Sequence, residues 1–130
     1  DPLERLPVPG YATYHKSPPQ TDIPRIYAAS DVYLFGSSSE GFGLPVLEAM
    51  ACGCPVVATR TGCAPDAIRD GFNGYVVDID DVEALADRLV RVLSAAPDVW
   101  KTMSQNAANA VESYSWKDSA RIFAACLEER

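Results

Sequence analysis

The sequence predicts an α/β fold: a doubly wound parallel sheet with helices on both faces and a helical C-terminal end. Three observations carry the prediction. Short apolar runs without alternation recur at Val32-Tyr33-Leu34-Phe35, Pro55-Val56-Val57-Ala58 and Gly74-Tyr75-Val76-Val77, as strands buried on both faces require. Helical patterns lie between these runs, the alternation that right-handed βαβ connections produce. From residue 79 onward the apolar residues recur at helical spacing only.

The leading segment, residues 1–21, holds Pro2, Pro7, Pro9, Pro18 and Pro19 and reads mainly as loop, with a short strand expected around residues 6–11. A βα core is expected over residues 22–78. It opens with Ile23, Ile26 and Tyr27 at helical spacing, followed by the first apolar run. After a break over residues 36–43, Val46-Leu47-Glu48-Ala49-Met50-Ala51-Cys52 reads as a helix, with Pro45 in its first turn and Gly53 where a left-handed stop residue is needed. The second run leads into a turn and a short helix beginning near Pro65, and the third run closes the core.

Residues 79–130 are expected to be helical. Asp80 with Glu83 forms a capping box ahead of Val82, Leu85, Ala86, Leu89 and Leu93 on one face. Trp100, Met103, Ala107, Ala110, Val111 and Tyr114 make a second stripe. Ser115 caps a last helix that turns Trp116, Ala120, Phe123 and Leu127 inward. These stripes are read as core packing rather than chemistry.

Composition narrows the function classes. A chain of 130 residues can bury one core but cannot hold two domains with a cleft between them. Eleven Lys and Arg against 18 Asp and Glu give a net charge of -7, the wrong sign for tracking a phosphate backbone, so no nucleic-acid partner is expected. The single histidine, His15, rules out a His-rich metal cluster and reads as a surface residue. Cys52 and Cys54 have no second pair to complete a zinc tetrad; with Cys63 and Cys126 they read as reduced, buried, small apolar residues. No apolar run approaches the ~20 residues of a membrane span, and no signal peptide is evident, so a cytoplasmic chain is expected. Because the chain starts at Asp1 rather than Met, it is expected to be a piece of a longer protein.

The chemistry is concentrated in Ser37-Ser38-Ser39-Glu40-Gly41-Phe42-Gly43-Leu44-Pro45-Val46-Leu47-Glu48. This stretch leaves a buried parallel strand and opens a helix, where open α/β sheets place their ligands. Gly41 and Gly43 let backbone approach a ligand, and the N–H groups of a helix start attract a phosphate or diphosphate. Glu40 and Glu48 frame the loop. On one unbroken helix they would stand about 80° apart; with the glycine loop between them both can converge on one ligand. Carboxylates beside an anion site need another task, and their acceptor-only oxygens suit vicinal hydroxyls. A ligand with phosphates and vicinal hydroxyls on each side of them is a nucleotide sugar.

Across residues 40–57, Glu40-Gly41-Phe42-Gly43-Leu44-Pro45-x-Leu47-Glu48-Ala49-Met50-Ala51-x-Gly53-x-Pro55-Val56-Val57 resembles the Glu-x7-Glu signature of the retaining glycosyltransferases of family 4. Asp70-Gly71-x-Asn73-Gly74, Tyr27-Ala28-Ala29-x-Asp31 and Ser115-Trp116 are similar to the same family, so the likeness runs from about Val8 through nearly the whole chain. It implies the Rossmann-like C-terminal, donor-binding domain of a GT-B fold, shortened at its N-terminus. By that resemblance Glu40 lies by the donor sugar and is the catalytic candidate. The amides of Gly41, Phe42, Gly43 and Leu44 would reach sugar and diphosphate, Glu48 the ribose diol, and Gly10 and Tyr11 the nucleobase. The implied reaction retains anomeric configuration by a same-face displacement, with the leaving diphosphate assisting deprotonation of the acceptor, and uses no metal and no cofactor beyond a UDP- or GDP-type donor.

Two departures from the family pattern stand out. The Arg and Lys pair that the family directs at the diphosphate would precede Asp1, leaving Arg60 as the only nearby base, read as exposed. Thr59-Arg60-Thr61-Gly62-Cys63-Ala64-Pro65-Asp66 replaces the usual two glycines and a glutamate, with Cys63 and Asp66 in the altered positions. Without an N-terminal domain of the same enzyme, which would supply the acceptor site, the isolated chain is expected to be inactive or nearly so. The acceptor, a sugar, a lipid-linked glycan or a small molecule, is not specified by these residues. The alternatives are a non-catalytic nucleotide-sugar-binding module and a GT-B-type sugar-nucleotide epimerase.

Overall fold

A computed structural model describes residues 7–128 of the chain. Among them, strands β1 (Tyr33–Phe35), β2 (Val56–Thr59) and β3 (Gly74–Val77) form one parallel sheet in the order β1-β2-β3. Tyr33 stands opposite Val56, and Val56 opposite Gly74. The helices are α1 (Ile23–Ala28), α2 (Leu44–Ala51), α3 (Ala64–Ala67), α4 (Val82–Leu93), α5 (Pro97–Val111) and α6 (Trp116–Glu128). The predicted α/β class and the three strands predicted from the apolar runs are therefore present.

β2 is the centre of the sheet, and all four of its residues are buried. Val56 and Ala58 pack with Val46, Ala49 and Met50 of α2 and Ala107 and Val111 of α5. Val57, pointing the other way as strand alternation dictates, packs with Val92 of α4, Met103 of α5 and the half-buried Leu85 and Trp100. Helices thus cover both faces. Complete burial of residues such as Met50, Val46, Val56 and Val57 contributes about 1.5–3 kcal/mol each.

Local chemistry fixes where elements stop. Pro45 occupies the first turn of α2, whose end is marked by Gly53 at φ +72. Ser104 of α5 donates to the Gly53 carbonyl at 2.6 Å, tying that stop to the next layer. Asn73, fully buried, accepts from the Arg69 N–H at 2.7 Å and donates to the Ala67 carbonyl at 3.1 Å, so the turn into β3 has its buried backbone groups satisfied by one side chain. Ser115 accepts from the Asp118 N–H at 3.1 Å and caps α6 as expected.

Several expectations are corrected. Residues 7–9 form no strand and Gly10 and Tyr11 lie in a turn, because Pro7 and Pro9 have no N–H to give a ladder; Leu6 lies outside the described residues. β1 is not buried on both faces: it is an edge strand, and Leu34 is 45% exposed. The cap of α4 shifts by one residue. Asp80 takes φ +66, which Asp tolerates, and Asp81 accepts from the Ala84 N–H at 2.9 Å. The inward face of α4 runs through the half-buried Leu85 and Leu89 and the buried Val92, while Val82, Ala86 and Leu93 are exposed. On α5, Tyr114 lies past the helix end and is exposed. On α6, Trp116, Ala120, Phe123 and Leu127 are exposed rather than inward. No helix among the described residues is long and apolar enough to cross a membrane.

The four cysteines are free thiols, but only Cys54 and Cys63 are buried; Cys52 is half-buried and Cys126 exposed. Burial, with smaller contributions from Cys52 and Asp31, pushes the Cys54 thiol up to about 11. At pH 8 roughly one Cys54 in a thousand is then a thiolate. Iodoacetamide at pH 8 is expected to label Cys126 first and leave Cys54 and Cys63 unlabelled until the chain unfolds. Peptide mapping over time checks this, and labelling of Cys54 as fast as Cys126 in the native chain would contradict the packing.

Candidate functional site

In a parallel sheet the C-terminal ends of neighbouring strands lie side by side, so the segments leaving β1 and β2 meet. Thr59, the last residue of β2, donates its buried hydroxyl to the Phe35 carbonyl at 3.3 Å and also to the Ser37 carbonyl. Further out, the Cys63 N–H donates to the Phe42 carbonyl at 2.7 Å. Cys63 also sends its thiol to the Gly43 carbonyl at 3.5 Å. The glycine loop is therefore fastened along its inner side to the segment after β2.

Its outer side is open. Glu40, Gly41, Phe42 and Leu44 are exposed, and no protein atom lies within 4 Å of where a Gly41 Cβ would stand. Gly43 caps α2 with φ +83, the left-handed conformation that favours glycine. In the first turn of α2, Pro45 has no N–H and the Val46 N–H already bonds the Gly43 carbonyl at 3.0 Å. The Leu44 N–H remains as the first-turn donor that the helix cannot satisfy internally. The anion-attracting group is thus narrower than a whole helix start: it is the loop amides up to Leu44.

The two carboxylates stand on different neighbours of this loop. Glu40 borders the segment after β2, its Cβ 3.2 Å from where a Gly62 Cβ would be. Glu48, on α2, accepts a hydrogen bond from the Tyr27 hydroxyl of α1 at 3.4 Å. Both nevertheless act on one phenol. Burial pushes the Tyr33 hydroxyl above its ordinary value, Tyr27 offsets part of this, and the charges of Glu48 and Glu40 both add to it. Glu40, the glycine turn and Glu48 form one contiguous cluster in sequence, following one another from the C-terminal end of β1 into α2.

Gly10 and Tyr11 stand in an exposed turn of the leading segment, with Tyr11 93% exposed. Arg60 is exposed and pairs with Asp78 at 3.0 Å; a surface pair of this kind contributes ~0–1 kcal/mol. His15 is exposed. Sequence reasoning missed the parts played by Thr59, Gly62 and Tyr27. For the first two the signal was available, since parallel strands bring the end of β2 beside the end of β1. For Tyr27 it was not, because its contact depends on how α1 packs on α2.

The sequence model of the family described as Glycosyl transferases group 1 matches residues 8–110. The D-inositol 3-phosphate glycosyltransferase of Saccharomonospora viridis is 42% identical over 102 residues, 77% of this chain and 23% of that protein. The O-antigen chain mannosyltransferase B of Escherichia coli is 34% identical over 117 residues, 89% of this chain and 30% of that protein. Among solved structures, that of Anabaena HepE in complex with UDP-glucose superposes with a TM-score of 0.78 at 26% identity, covering 98% of this chain and 35% of that one. The chain spans about a quarter of the length of the curated relatives it matches, and its fold is that of a GT-B C-terminal domain. On these grounds the chain belongs to the group 1 glycosyl transferases.

Proposed function

We propose that this chain is the donor-binding domain of a longer, retaining glycosyltransferase that takes a nucleoside-diphosphate sugar of UDP or GDP type. The observation that carries the proposal is the open glycine turn at the sheet edge, with backbone donors between two carboxylates. Glu40 is assigned to the hydroxyls of the donor sugar and is the catalytic residue of this half. The amides of Gly41, Phe42, Gly43 and Leu44 are assigned to sugar and diphosphate, Glu48 to the ribose, and Gly10 and Tyr11 to the base. The complex of HepE with UDP-glucose supports a donor of this class.

The transfer would retain configuration, with acceptor and leaving diphosphate on the same face and the diphosphate accepting the acceptor's proton. Charge growing on the diphosphate is where preorganised amides contribute most to rate. The site proposed here uses no metal and no cofactor. The acceptor would be held by an N-terminal domain, the enzyme would be cytoplasmic, and residues 1–130 alone would transfer sugar poorly or not at all.

Calorimetric titration of the full-length protein with UDP, GDP and their sugars, with and without EDTA, tests this. One base series is expected to bind saturably, and equally well with the chelator present. Absence of binding by either series would overturn the donor assignment, and loss of binding in EDTA would overturn metal independence.

A further inference from the structure

A tyrosine on α1 reaches across to the carboxylate that the proposal above assigns to ribose. The Tyr27 hydroxyl donates to Glu48 Oε2 at 3.4 Å. The donor is held from behind. The Tyr27 ring meets Tyr33 edge-on, with centroids 5.3 Å apart and planes at 85°, and Tyr33 in turn leans on Phe35 at 6.2 Å. Phe35 is buried, and its ring lies 3.5 Å from where a Gly43 Cβ would stand. An aromatic row therefore runs from the Glu48 carboxylate to the underside of the glycine turn, fixing both against β1.

We infer that Tyr27 is a positioning residue for Glu48, holding its carboxylate so that both oxygens meet a ribose diol and a 2′-deoxyribose is discriminated against. This rests on the ribose assignment of Glu48 made above. A carboxylate has about four acceptor sites, and among the described residues the Tyr27 hydroxyl takes one of them, on Oε2. The terminal torsion of a glutamate is broad, so without a fixed donor the carboxylate plane turns easily. A ligand that needs both oxygens loses from that freedom, while a ligand with one hydroxyl loses less. Burial, reinforced by Tyr33 and Glu48, keeps the Tyr27 phenol well above its ordinary value, so it remains a protonated donor across the working pH range.

Tyr27→Phe keeps the ring and the aromatic row and removes only the O–H. The full-length protein and this variant are titrated with UDP and 2′-deoxy-UDP, and with GDP and 2′-deoxy-GDP, alongside thermal unfolding. The variant is expected to bind the ribonucleotide about fivefold more weakly, the scale of one ordinary hydrogen bond, and the deoxynucleotide almost unchanged, with its Tm unaltered. Equal weakening of both nucleotides together with a lowered Tm would reduce Tyr27 to packing and overturn the inference. An undiminished ribose preference in the variant would overturn it while leaving the donor proposal standing. If the unaltered protein binds neither nucleotide, the donor proposal falls and this inference with it; if it binds ribo and deoxy forms alike, the ribose role of Glu48 falls and takes the inference along.

Discussion

Glu48→Ala in the full-length protein is expected to weaken nucleoside-diphosphate binding by roughly a hundredfold, about 3 kcal/mol. Each hydrogen bond from a hydroxyl to a carboxylate is worth about 1.5–3 kcal/mol, and the proposed diol makes two. The loss should not reach the full sum, because the exposed ligand hydroxyls regain water. Stability should barely change: Glu48 is half-buried, it occupies the fifth position of α2 where alanine is a good helix former, and the buried face of that helix is carried by Val46, Ala49 and Met50. Glu40→Ala provides the contrast. If Glu40 serves the sugar and Glu48 the ribose, the first variant loses preference for the sugar nucleotide over the bare diphosphate, and the second loses both. Calorimetry on the two variants reads the split directly, and a Glu48→Ala protein that binds like the unaltered one removes the ribose assignment.

How much of this was legible in the sequence depends on whether the signal was local. β2 was legible because a strand covered on both faces has to be apolar throughout, and Val56 to Ala58 could hardly be anything else. α2 was legible from Pro45 and Gly53, each of which acts through its own backbone. The α4 cap was off by one because two aspartates compete for it, and the choice turns on Asp80 adopting φ +66, which propensity alone does not decide. α6 shows a different limit. Its periodicity correctly announced an amphipathic helix, but periodicity says only that a face is apolar, and Trp116 and Phe123 are 82% and 68% exposed. In the site, the loop from Glu40 to Glu48 was legible because it is contiguous. Gly62 could have been found, because parallel strands set the end of β2 beside the end of β1, whereas Tyr27 acts on the loop from α1 and only the packing of α1 on α2 brings it there.

Gly62→Ala is expected to destabilise the chain by about 2–5 kcal/mol and to disturb the site at the same time. Gly62 has φ +53, a region that costs an L-residue about 1–2 kcal/mol. A Cβ there would stand 2.4 Å from the Phe42 carbonyl oxygen, 2.8 Å from its carbon and 3.2 Å from the Glu40 Cβ. Two of these atoms are backbone and cannot rotate away, so overpacking adds about 1–3 kcal/mol. The chain can relieve the overlap only by moving the Glu40 loop outward, which stretches the Cys63 N–H bond to the Phe42 carbonyl and displaces the carboxylate assigned to the sugar. In thermal unfolding this amounts to a fall of roughly 7–18 °C for a domain of this size. Gly41→Ala separates the two effects, because no protein atom lies within 4 Å of its Cβ position and its φ is not positive. That variant should unfold like the unaltered chain and yet bind donor less well, since a methyl group would occupy the open side of the turn. A Gly62→Ala chain with an unchanged Tm would mean that the loops after β1 and β2 are not in contact, and the cluster built on that contact would have to be given up.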